Sequence, residues 1–146
     1  MTIREVDGDI FRSSMQTLVN PVNCVGSMGK GLALHFKERW PKYYEAYRIA
    51  CKHDVLKVDW NFVYDVNEQR KIYSLPTKDH WRDKSTVRRI DRALKVLVEH
   101  IRDYGITSLA MPAIGCGEGG LSWEEVRRLI YKRLERVPIE IELYRP

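Results

Sequence analysis

Two glycine-rich turns, with a lysine between them in sequence, are the segments of this chain equipped for chemistry. The first turn reads Asn20-Pro21-Val22-Asn23-Cys24-Val25-Gly26-Ser27-Met28-Gly29-Lys30-Gly31, and Leu32 follows it. The second reads Pro112-Ala113-Ile114-Gly115-Cys116-Gly117-Glu118-Gly119-Gly120-Leu121. Each leaves a β-rich stretch and enters a helical pattern. Glycine lets backbone N–H groups crowd around a ligand that a Cβ would exclude, and a helix start adds unpaired donors and a positive dipole end. Two such turns in a short chain point to a ligand with more than one phosphate. Between them, in Leu75-Pro76-Thr77-Lys78-Asp79-His80-Trp81, Lys78 follows a proline-marked strand exit, where reactive side chains are commonly displayed. Arg82 and Lys84 nearby would favour its neutral, nucleophilic amine, and Asp79 would oppose them. The local sequence also fits a solvated loop lysine.

Each motif has a plainer alternative. Gly115-x-Gly117-x-x-Gly120 has the spacing of a dinucleotide fingerprint, with Glu140 about twenty residues on. That fingerprint belongs in a first strand–helix turn, whereas this one lies near the end of the chain. Gly115 to Leu121 therefore reads as a phosphate cradle built from backbone N–H groups rather than as an ordinary nicotinamide site. Met28-Gly29-Lys30-Gly31 lacks the Walker spacing. Its glycines suit a ribose and its phosphate, with Lys30 either neutralising that phosphate or exposed. His80 and Trp81 offer a donor and a stacking surface for a base, or Trp81 packs its loop down. Cys116 invites a nucleophilic reading, but no base is identifiable, and a small buried thiol accounts for it. Arg88, Arg89 and Arg92 form a basic helix stripe that is either a solvated face or a nucleic-acid track.

The elements that must position these groups interleave. Strands are expected at Thr2 to Val6, from Thr17 onward, at Phe62 to Tyr64, Lys71 to Leu75, Ser108 to Met111 and Ile139 to Leu143. Helices are expected at Gly31 to Trp40, from Pro41, from an N-cap at Ser85 to about Tyr104, and after a capping box at Ser122-Trp123-Glu124-Glu125. Ile90, Ala93, Leu94, Leu97 and Ile101 recur at helical spacing. The expected class is α/β, a largely parallel sheet covered on both faces.

With 146 residues, 44% hydrophobic and 31% charged, the chain is expected to form a single domain, 1–146, with a real core. No apolar run approaches the roughly 20 residues needed to span a bilayer. The first residues carry no apolar leader, so no membrane association and a cytoplasmic location are the expectations. Cys24, Cys51 and Cys116 form neither a disulfide framework nor a CxxC pair, and no metal-ligand spacing is present. The net charge of +5 favours polyanionic partners.

Gly8-Asp9-Ile10, Asn20 to Ala33, Pro76-Thr77-Lys78 and Pro112 to Leu121, in this order, resemble a macrodomain over nearly the whole chain. The strings NPVNCVGSMGKGLAL, LPTKDHW and PAIGCGEGGLSWE resemble the branch of the DarG-type DNA ADP-ribosyl glycohydrolases. That branch is related to lysine-dependent hydrolases acting on protein acidic side chains. The resemblance implies a three-layer fold with a mixed sheet between helices, and ADP-ribose lying across the strand ends. It implies that Asp9 meets the adenine amino group and Ile10 covers the ring. Met28, Gly29, Lys30, Gly31 and Leu32 would line the distal ribose and nearby phosphate, and Asn20 and Asn23 would face that ribose or the attached group. Pro112, Ile114, Gly115, Cys116, Gly117, Glu118, Gly119, Gly120 and Leu121 would wrap the pyrophosphate. Lys78 matches the family's catalytic lysine, with His80 as helper, and Thr77, Trp81 and Arg82 would meet DNA.

The protein-directed relatives carry a catalytic aspartate at the position aligned with Gly119, and the only acid nearby is Glu118. The implied activity is therefore hydrolysis of ADP-ribose from a base, thymine, in single-stranded DNA by a monomer acting against a DNA ADP-ribosyltransferase toxin. No metal or cofactor is required. The alternatives are removal of ADP-ribose from protein Glu or Asp or from a terminal phosphate, or ADP-ribose binding without catalysis.

Overall fold

The computed structural model of the protein describes residues 2–53 and 61–146. Its strands are β1 (Ile3–Val6), β2 (Thr17–Val22), β3 (Phe62–Asp65), β4 (Lys71–Pro76), β5 (Ser108–Met111) and β6 (Glu140–Tyr144). Its helices are α1 (Gly31–Arg39), α2 (Pro41–Lys52), α3 (Val87–Asp103) and α4 (Trp123–Leu134). The strands form one sheet in the order β1-β6-β5-β2-β4-β3. Every neighbouring pair is parallel except β3 with β4, a hairpin at one edge. This is the mixed, largely parallel sheet expected from the interleaved patterns.

Alternation along the strands feeds two cores. Val19, Tyr73, Leu75, Leu109, Met111, Ile141 and Leu143 point to one face, where Ile90, Ala93, Leu94, Leu97 and Ile101 of α3 and Val126, Ile130 and Leu134 of α4 cover them. Leu18, Val22, Ile72 and Ala110 point to the other, against Phe36 of α1 and Tyr43, Tyr47 and Ala50 of α2. A branched or aromatic side chain buried this fully contributes about 1.5–3 kcal/mol, so both helix layers are held firmly against the sheet.

Two helix starts differ from their sequence expectations. Thr86, not Ser85, caps α3, and its hydroxyl accepts the Arg89 N–H at 3.2 Å. Ser85 is instead drawn inward, 5% exposed, against the second glycine turn. Ser122 occupies the cap position of α4, but its side chain makes no capping bond, so the sequence pattern of a capping box is present without its hydrogen bond.

Candidate functional site

Because β1, β6, β5, β2 and β4 run parallel, the segments that follow them emerge along one edge of the sheet, where open α/β sheets bind ligands. The order β5-β2-β4 sets the second glycine turn, the first glycine turn and the Lys78 segment side by side. Backbone bonds join them. Cys24 N–H donates to the Asp79 carbonyl at 2.7 Å, and Ser85 N–H donates to the Gly119 carbonyl at 3.1 Å.

The second turn is closed by Cys116 N–H to Ala113 at 3.3 Å, Gly120 N–H to Gly117 at 3.1 Å and Leu121 N–H to Gly115 at 2.9 Å. Those bonds leave the N–H groups of Gly115, Gly117, Glu118 and Gly119 without an acceptor among the described residues. Such a run of free amides is an anion cradle. Gly115 sits at φ +75°, a backbone region that side chains resist. At Gly119 the constraint is space: a Cβ there would lie 2.5 Å from Ser85 Oγ and 2.6 Å from the Gly115 carbonyl oxygen. The turn as folded has no room for a side chain at this position. Ile114 is fully buried and Pro112 buried beneath the turn, while Gly117, Glu118 and Gly120 are exposed and Leu121 is half-buried. Cys116 is half-buried, its thiol 3.6 Å from the Ile114 carbonyl, and burial pushes its pKa up, which suits an inert thiol.

The first turn is organised from within. Asn23 Oδ1 accepts from Val25 N–H at 3.1 Å, Ser27 N–H at 3.3 Å and the Tyr47 hydroxyl at 2.8 Å, while Nδ2 donates to the Ser27 carbonyl at 2.9 Å. Asn20 is fully buried, because it shares the β2 face of Leu18 and Val22 that α2 covers. Its Nδ2 donates to the Tyr43 hydroxyl at 3.0 Å, and Tyr43 bonds Ser74 in turn. Asn20 and Asn23 were expected to face the distal ribose or the attached group; both are buried, bonded to Tyr43 and Tyr47 of α2. Tyr43 and Tyr47, four residues apart on α2, are the braces that motif spacing missed; their common helix face was the available signal. Met28 is 2% exposed, under the turn, whereas Gly29, Lys30 and Gly31 are exposed. Lys30 makes no side-chain cap, so the first N–H groups of α1 donate no bond to the cap side chain.

The reactive segment is pinned at its start. Thr77, 4% exposed, donates N–H to the Val22 carbonyl at 2.9 Å, and its hydroxyl lies 3.4 Å from the same oxygen. Thr77 was expected to meet DNA; it continues the buried run of β4 and ties that strand's exit to β2. Lys78 is half-buried, and its amine donates to the Trp81 carbonyl at 3.1 Å. His80 Nδ1 accepts from Arg82 N–H at 3.1 Å, so one ring nitrogen is committed to the loop. Trp81 is 53% exposed, with the Arg82 guanidinium 5.1 Å above its ring; it is not packed down. Asp79 pairs with Arg89 at 2.8 Å.

At the β1 end, Asp9 caps a short turn by accepting Phe11 N–H at 2.9 Å and remains exposed. Beside it opens a cavity of about 570 Å³ lined by Asp9, Ile10, Phe11, Leu32, His35, Pro112 and Ala113. The cavity thus links the β1 segment to the start of α1 and the start of the second turn. Four strand spacings separate β1 from β4, about 19 Å, which is the scale of a dinucleotide. Among the described residues no group of three His, Cys, Asp or Glu could hold a metal ion.

This edge of three joined loops on a helix-covered mixed sheet defines the class. The chain belongs to the macrodomain family: the Macro domain model matches residues 19–130. It is 41% identical over 143 residues to the DNA ADP-ribosyl glycohydrolase of Mycobacterium tuberculosis, covering 95% of this chain and 41% of that protein. The solved macrodomain of Thermus aquaticus DarG superposes with a TM-score of 0.94 at 40% identity, covering 99% and 98% of the two chains. Thermosipho africanus DarTG in complex with ADP-ribose superposes at 0.93 with 38% identity, covering 99% of this chain and 41% of that one. The chain spans about 41% of the length of the curated DNA ADP-ribosyl glycohydrolases it matches.

Proposed function

We propose that this macrodomain binds ADP-ribose along the carboxyl edge of its sheet and hydrolyses it from a base, thymine, in single-stranded DNA. The observation that carries the proposal is the nest of four amides in the second turn that have no acceptor among the described residues, joined through the Ser85 N–H to Gly119 carbonyl bond to the segment that follows Lys78. In this reading the cavity beside Asp9 and Ile10 takes the adenosine, and the amides hold the pyrophosphate. Fixing the diphosphate spends remote binding energy on orienting the distal ribose. Lys78 then acts at the anomeric carbon. Its amine forms the bond to carbon as the bond to the base nitrogen breaks. The base leaves with the electron pair and takes up a proton, and water then displaces the lysine. Similarity to proteins named DNA ADP-ribosyl glycohydrolases supports the substrate class, and the absence of room for a carboxylate at Gly119 favours DNA over protein side chains. A single strand presents its base without the cost of flipping it from a duplex.

The protein acts as a monomer in the cytoplasm, opposing a DNA ADP-ribosyltransferase. The fusion of the two named activities in the Thermosipho relative supports that pairing. The test is Lys78→Ala on an oligonucleotide carrying one ADP-ribosylated thymine. Turnover is expected to vanish while calorimetric affinity for ADP-ribose is kept. Full turnover by the variant would remove Lys78 from the chemistry, and no ADP-ribose binding by the native protein would end the proposal.

A further inference from the structure

Resting on that reading, the geometry points to a path for the DNA strand: away from the Lys78 amine over Trp81 and Arg82, with the flanking phosphates held by Lys84 and Arg88. The leaving base is bonded to the carbon that the amine engages, so it lies across that carbon from the amine, in the same part of the site. The amine is one hydrogen bond, 3.1 Å, from the Trp81 carbonyl. Trp81 offers a half-exposed indole beside it, and the Arg82 guanidinium rides 5.1 Å from the ring centre. An exposed indole backed by a cation is a sequence-tolerant stacking platform for a base.

The charges beyond the platform are unbalanced in one direction. Asp79 is paired with Arg89 at 2.8 Å, which leaves Asp83, whose carboxylate accepts the His80 backbone N–H at 3.0 Å, as the one acid set against Arg82, Lys84 and Arg88 in this stretch of chain. Among the described residues, Lys84 and Arg88 are exposed and have no carboxylate partner. The first turn of α3 contains no acid, and it holds Arg88 and Arg89 at the positive end of a 17-residue helix. That placement opposes the helix dipole and costs stability in the free protein. Lys84 lies against the second turn, its amine 3.9 Å from where a Cβ on Gly120 would stand. In the chain between the two cations, the buried Ser85 hydroxyl faces Gly119 and has no partner among the described residues. Together these features form a track suited to a polyanion that begins at the reactive amine and leaves over the start of α3.

The double variant Lys84→Gln, Arg88→Gln tests the path. Hydrolysis of the modified oligonucleotide is followed as kcat/KM from 0.05 to 0.3 M salt, and free ADP-ribose binding is measured by calorimetry. Each phosphate contact on a single strand adds about 0.7 to the salt slope, so removing two should lower the slope by about 1.4 and kcat/KM roughly 25-fold at 0.1 M. Lys84→Arg, Arg88→Lys should keep the native slope. An unchanged slope in the double glutamine variant would overturn the path alone. So would an equal loss of free ADP-ribose affinity, which would move these cations to the diphosphate. Absence of any turnover of modified DNA by the native protein would overturn both the path and the reading beneath it.

Discussion

A single methyl group at Gly119 tests whether close packing of the second turn, rather than its glycine content, builds the cradle. In Gly119→Ala the new carbon would stand 2.5 Å from Ser85 Oγ and 2.6 Å from the Gly115 carbonyl oxygen. Relieving either contact requires a shift of most of an ångström. The Ser85 hydroxyl can rotate, but the Gly115 carbonyl cannot move freely, because it accepts the Leu121 N–H at 2.9 Å and so closes the turn. Overpacking of this kind costs about 1–3 kcal/mol, and loss of the closing hydrogen bond about 1 kcal/mol more. For a domain of this size the combined loss lowers the melting temperature by roughly 5–15 °C. ADP-ribose affinity should fall with it, since the free amides of Gly117, Glu118 and Gly119 move as the turn opens. Adding Ser85→Gly removes one contact and leaves the carbonyl contact, so it should restore only part of the loss. Thermal unfolding followed by circular dichroism, paired with calorimetric titration of ADP-ribose, reads both effects. A Gly119→Ala protein that melts within a degree of the native one and binds ADP-ribose equally well would refute the packing argument.

Two further outcomes follow from other parts of the molecule. Asn23→Ala removes the acceptor of two loop amides and of the Tyr47 hydroxyl; a destabilisation of about 1–3 kcal/mol in urea and faster amide exchange at Val25 and Ser27 are expected, and native exchange at both positions would count against the brace. Glu5 is held below its ordinary carboxyl value by hydrogen bonds from Arg127 and Tyr131, against an opposing push from burial. A depressed carboxylate contributes stability that is present above the ordinary 4.5 and lost as the pH falls through the lowered value. Glu5→Gln should therefore be less stable than the native protein at pH 7, and the gap should close as the pH drops below about 4; a gap that persists or widens in acid would assign the loss to packing instead.

What the sequence decided, and what it left to the fold, divides along the range of the interactions. Ser108 to Met111 and Pro41 onward form as a short apolar run and a proline at the first helical position require, because such preferences act within a few residues. The candidate ligand segments were proposed from local signatures too, glycine-rich turns and a proline shortly before a lysine. Orientation was not. Asn20, Asn23 and Thr77 have the right types to meet a ligand, yet α2 and the β2–β4 register turn them inward. The cap of α3 moved from Ser85 to Thr86 because the second turn, 34 residues away, accepts the Ser85 N–H through Gly119. The juxtaposition of both glycine turns with Lys78 depends on β2 lying between β5 and β4, although β2 precedes both in the chain. No local preference specifies that order; it emerges when two helix layers must bury opposite faces of one sheet at once.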